Sequence, residues 1–172
     1  MKKNNLLILI TVTIILMIFV RLASAETGKV QVKLDGLVCT FCAYNLEKKI
    51  KRIEGVKDLK ILVNEGLAEI KIGEDKSIDV DGIKKAVKEG GFTPREIIIT
   101  LKGRIEEASG RMILRTDYDS FILKYNKILK EIITSEKAQG ETITVTGLVQ
   151  EEKIKGHGIH PYVLEIKNFK LE

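Results

Sequence analysis

The chain of 172 residues holds two cysteines, Cys39 and Cys42, three positions apart. They lie in the run Leu34-Asp35-Gly36-Leu37-Val38-Cys39-Thr40-Phe41-Cys42-Ala43. If a helix begins at this point, the i and i+3 spacing brings both sulfurs to one side of its first turn. A thiolate is the metal-binding form of cysteine, and a helix N-terminus lowers its usual pKa of about 8.5, because unpaired N–H groups favour negative charge there. Two soft thiolates with no histidine or carboxylate immediately beside them suit Cu(I) or Hg(II) better than Mg²⁺ or Ca²⁺, and Zn²⁺ and Cd²⁺ also accept thiolates. A closed structural zinc site takes four ligands, so a pair points to an open site from which a partner can take the ion. The spacing alone is a weak signal. A structural or redox disulfide and a vestigial pair of thiols remain open alternatives, the first because exported proteins oxidise their cysteines.

The elements that must position the pair can be read from hydrophobic periodicity. Val30, Val32 and Leu34 alternate as a strand, and residues 40–53 then take helical spacing through Ala43, Leu46, Ile50 and Ile53. Leu59, Ile61 and Val63 alternate, the turn Asn64-Glu65-Gly66 follows, and Ala68, Ile70 and Ile72 complete a hairpin. Val80, Ile83 and Val87 mark a second helix stopped by Gly90-Gly91, and Ile97 to Leu101 is a further strand. The order β-α-β-β-α-β is that of a split βαβ, ferredoxin-like sheet. Beyond it come strands at Met112–Arg115 and Phe121–Tyr125, a helix from about Asn126 to Ala138, and strands at Thr142–Val149 and Tyr162–Phe169. With Gly103-Arg104-Ile105 as its opening strand, this is the element order of a small OB-type barrel. The expected fold class is α+β: residues 26–101 as a ferredoxin-like domain and 102–172 as a β-rich, OB-like domain. An irregular β extension packed on the first domain is the alternative.

Residues 1–25 are set aside as a secretory signal. Lys2 and Lys3 precede an apolar run from Leu6 to Val20, and Ala23-Ser24-Ala25 gives the small-residue cleavage pattern. The run is short of the ~20 residues that cross a bilayer, which weighs against an uncleaved anchor. Setting aside Lys2, Lys3 and Arg21, with no acidic residue lost, lowers the formal charge from +5 to +2. A remainder so near balance does not call for nucleic acid, and Phe121, Tyr125 and Tyr162 are too scattered for a stacking platform. Lys48, Lys49, Lys51 and Arg52 form a positive face on the first helix, read either as a solvated side or as a surface that steers an acidic partner. His157 and His160, the only histidines, sit in Gly156-His157-Gly158-Ile159-His160-Pro161. They read as decoration of a hairpin loop, with a second metal site as the alternative. No phosphate loop, nucleophile elbow or Ser/His/Asp set is present, so no enzymatic activity is expected.

Residues 28–101 resemble the heavy-metal-associated domain of copper chaperones, metal-transporting ATPase tails and periplasmic mercury-binding proteins. The signature Gly-Met-x-Cys-x-x-Cys is matched by Gly36-Leu37-Val38-Cys39-Thr40-Phe41-Cys42, and Gly91-Phe92 matches the Gly-(Tyr/Phe) after the second helix. Leu37 replaces the usual Met, and Phe41 places a bulky apolar group between the cysteines. The resemblance implies that Cys39 and Cys42 are metal ligands and that a metal-donor or metal-acceptor protein, such as a membrane transporter, is the partner. Together with the signal it implies an exported, periplasmic protein that captures or relays a soft metal ion, touching the membrane only through the signal segment if that is uncleaved. A thiol–disulfide oxidoreductase, or an interaction module in which the C-terminal barrel carries the function, stands as the rival.

Overall fold

A computed structural model describes residues 28–73, 75–138, 140–152 and 162–171; the expected signal segment, residues 1–25, and both histidines, His157 and His160, lie outside the described residues. Strand β1, Gly28–Asp35, turns Val30, Val32 and Leu34 inward on alternate positions. Helix α1, Thr40–Ile50, buries Ala43, Leu46 and Ile50. Strands β2, Val56–Leu62, and β3, Leu67–Ile72, form the expected hairpin. Its turn is a short 3₁₀ segment, Val63–Glu65, closed by Gly66. Helix α2, Val80–Glu89, buries Val80, Ile83, Ala86 and Val87, and the Asp79 carboxylate caps it by accepting from the Gly82 N–H at 2.7 Å. The sheet order β2-β3-β1-β4 is antiparallel throughout, so the first half is ferredoxin-like as its pattern predicts.

The second half departs from two units laid end to end. The strand expected at Ile97–Leu101 is part of β4, Thr93–Ala108, which runs 16 residues without interruption. A division between residues 101 and 102 falls inside it. Gly103, expected to open a new strand, instead lies within this one, and its role is close approach. A Cβ there would lie 2.4 Å from the Arg115 carbonyl oxygen, so only glycine lets β5 come this near.

After β4 come β5, Arg111–Arg115, β6, Ser120–Leu123, and helix α3, Lys127–Thr134, then β7, Ile143–Glu151, and β8, Tyr162–Leu171. Helix α3 stops short of the expected Ala138. Thr134 Oγ1 donates back to the Lys130 carbonyl at 2.8 Å, and Ser135 is extended. The strands close as β4-β5-β6-β8-β7-β4, with β6–β8 the parallel pair. Three strands, a helix and two strands therefore make a five-stranded barrel, and α+β with a barrel-like second part describes the fold.

Strand β4 belongs to both parts. Between Ile98 and Leu101 it pairs with β1 on one side and with β7 on the other. Leu101, Leu114, Phe121 and Leu164 lie in the same contiguous apolar core as Val30, Leu46 and Ile83. Two polar fasteners add to this seam. The Asp119 carboxylate, 8% exposed, accepts from the Ile78 N–H at 3.0 Å. Tyr162 donates its hydroxyl to Asp81 on α2, while Lys84 lies 4.6 Å above the Tyr162 ring and pairs with Glu151.

Candidate metal centre

The loop that carries the cysteines leaves β1 through Gly36, whose φ of +87° is a left-handed conformation that side chains rarely adopt. Leu37 then turns inward at 5% exposure and pins the loop to the core, the task expected of the residue in the place of the usual methionine. Phe92, at 6%, closes the floor, its Cδ1 3.9 Å from where a Gly36 Cβ would stand. The loop is thus held from below by two apolar side chains while its outer rim faces solvent.

Cys39 is the N-cap of α1, in extended backbone geometry, and its Sγ accepts from the Cys42 N–H at 3.0 Å. The helix has no acidic residue in its first turn, and the Cys39 sulfur is the side-chain acceptor that caps its N-terminus. Both cysteines are half-buried, and Cys42 packs against the core. Their Cα atoms are 5.4 Å apart, and the two sulfurs are joined as a disulfide. The structure therefore brings the two predicted ligands together, in oxidised form. Metal binding requires reduction first, because a disulfide sulfur carries no thiolate charge. Among the described residues no group of three or more His, Cys, Asp or Glu is placed to hold a metal ion. The donor set offered is two sulfurs, which fits a soft ion of low coordination number.

Three neighbours escaped notice as a group in the sequence. Val38 is 87% exposed, Phe41 77% and Tyr44 57%, all around the cysteine pair. Phe41 stands out in the motif, but that Val38 before it and Tyr44 after it are exposed as well shows only in the structure. Along the same helix the four basic residues divide. Lys51 is held by Glu47 and Lys49 by Glu89 at 3.5 Å, whereas Lys48 lies 5.9 Å above the Tyr44 ring.

Residues 25–93 match the family model of the heavy-metal-associated domain. That stretch is a heavy-metal-associated domain. The heavy-metal-associated match ends where β4 begins, so it spans the cysteine loop and both of the domain's helices but not the barrel. Among solved structures, the chain is similar to an inferred copper-ion-binding protein from Bacillus anthracis str. Ames, at 19% identity and a TM-score of 0.37, over 41% of this chain and all of that one. It is also similar to the N-terminal domain of ZntA in the apo-form, at 21% identity and a TM-score of 0.36, over 41% of this chain and 92% of that one. No curated protein matches the chain.

Proposed function

We propose that this is an exported protein that captures a soft metal ion between the thiolates of Cys39 and Cys42 and passes it to a partner. The observation that carries the reading is the cysteine pair at the start of α1 in a heavy-metal-associated domain, Cys39 Sγ capping the helix 3.0 Å from the Cys42 N–H. A preformed cap leaves little backbone to reorder when the sulfurs take up an ion. With two protein donors the ion keeps open positions, so a partner's thiolates add before the first two let go. Cu(I) and Hg(II) are the favoured cargo, with Zn²⁺ and Cd²⁺ less well served by two ligands. The acceptor is a metal-transport protein, such as a membrane transporter, and the compartment is periplasmic or otherwise extracytoplasmic. No catalysis is assigned.

The joined sulfurs favour one second reading, a thiol–disulfide oxidoreductase. Titration of the reduced chain with each metal, followed by native mass spectrometry, separates the two. One ion per chain, lost in the Cys39→Ser, Cys42→Ser double variant, supports capture. No bound ion, together with disulfide reductase activity that the double variant lacks, would replace it with the redox reading.

A further inference from the structure

The outer face of α1 changes character in steps. At the tip stand Val38 and Phe41, apolar and more than three-quarters exposed. One turn back is Tyr44, an apolar ring with a polar end. Further along come Lys48 and Arg52, which no ion pair holds among the described residues. Phe41, Tyr44 and Lys48 are spaced by three and four residues, so they share one side of the helix, and Arg52 follows in the turn just past its C-cap, Lys51. At ~1.5 Å per residue, Phe41 and Lys48 are separated by about 10 Å along the axis.

We propose that this tip docks end-on into the surface of an anionic bilayer. The sequence of layers matches the depth profile of a membrane interface. Apolar groups enter the acyl boundary, an amphipathic ring sits at its edge, and cations meet phosphates in the headgroup layer, which is about 5–8 Å thick in each leaflet. The long stems of lysine and arginine let their charges reach back to that layer. A protein interface more often rings an apolar centre with polar residues than grades from apolar to cationic along one axis. Among the described residues no helix is long and apolar enough to cross a membrane, so the contact is one of surface docking. It would be a membrane contact separate from any made by an uncleaved signal segment. Docking of this kind does not depend on the metal, but it gives the proposed relay a place: the paired thiols are held at headgroup depth, where an acceptor embedded in the bilayer opens.

The test uses the chain from residue 26 onward, which keeps every described residue and removes the apolar leader. Co-sedimentation is measured with mixed phosphatidylglycerol and phosphatidylcholine vesicles against phosphatidylcholine alone. Binding to the anionic vesicles is expected, falling roughly tenfold in Phe41→Ser. The Lys48→Gln, Arg52→Gln pair should lose roughly thirtyfold, at ~1 kcal/mol for each charge near the surface. High salt should weaken binding. The chain has no tryptophan, so a Phe41→Trp variant gives a single reporter whose emission should shift to the blue on anionic vesicles. The Cys39→Ser, Cys42→Ser variant should bind vesicles as the parent does, which keeps this test apart from that of metal capture. Thermal unfolding checks that each variant folds. A parent chain that ignores anionic vesicles, or a Phe41→Ser variant that binds equally well, overturns the proposal and leaves the tip to a protein partner.

Discussion

The two ends of β4 are built on opposite terms. At Thr93 the strand lies beside Asp35, where the chain turns out into the cysteine loop, and large apolar side chains stand in solvent. At the other end, from Leu101 to Ala108, the same strand is walled in by β7 and then β5, and a buried carboxylate satisfies a buried backbone N–H. Apolar surface left in water costs the fold its burial energy, roughly 1.5–3 kcal/mol for a large side chain. The tip forgoes that gain on Val38 and Phe41, as the proposed docking requires, while the seam takes it in full. Substitutions at the first end should change binding and spare stability; those at the second should do the reverse.

The largest expected effect is at the cysteines. Cys39→Ser, Cys42→Ser should lower soft-metal affinity by several orders of magnitude, read by competition with a chelator, since hydroxyls are poor ligands for such ions. Phe41→Ser should leave the stability, read by thermal unfolding, within about 0.5 kcal/mol of the parent, as for surface positions in general. If it unfolds the protein, the open tip is structural and the contrast fails.

Next in size is Gly103→Ala. Its methyl would meet the Arg115 carbonyl, so β4 and β5 must separate, at a cost of about 1–3 kcal/mol. Calorimetry should show one transition at lower temperature, with metal stoichiometry intact at low temperature. Two separate transitions would mean that the halves melt independently despite their common core. Asp119→Ala follows at about 1–3 kcal/mol, because the Ile78 N–H loses its acceptor in a buried place. Asp119→Asn, which keeps a carbonyl oxygen, should recover part of that loss.

Much of this was legible beforehand, and the omissions have physical causes. The alternation of Val30, Val32 and Leu34 and the helical spacing of Val80, Ile83 and Val87 report a local period, which sequence carries directly. The five-strand barrel followed from element order and strand-rich composition. Its fusion to the first half did not. Gly103 reads as the first residue of a new strand, and only the Arg115 carbonyl beside it explains why glycine stands within a continuous one. Asp119 belongs to the turn-like run Asp117-Tyr118-Asp119, and nothing local shows that it reaches a backbone N–H 41 residues away. At the cysteine loop the motif picks out Cys39 and Cys42, but it does not carry their oxidation state. Exposure of Tyr44 depends on which side of α1 faces the core and that of Val38 on how the loop before α1 turns, and the motif encodes neither.

The smallest effect is the most diagnostic of the seam. Tyr162 sits at the start of β8 with its ring under Lys84 and its hydroxyl on Asp81, and so ties the barrel to α2. Burial first, then the bond to Asp81 and the nearby carboxylates, hold its phenol well above the ordinary value of about 10. The neutral form is therefore favoured in the folded state, and the stability this confers is complete below pH ~10. Above that pH the unfolded chain sheds the proton first, and stability declines as pH climbs toward the folded value. Tyr162→Phe removes one hydrogen bond, worth about 1 kcal/mol or a midpoint shift of roughly 2–4 °C at neutral pH. It also removes the titration, so its stability should decline less steeply above pH 10 and the two profiles should converge. Profiles that stay parallel from neutral to strongly alkaline pH would show that Tyr162 does not fasten the two halves, and that continuity of β4 and the common core hold them without it.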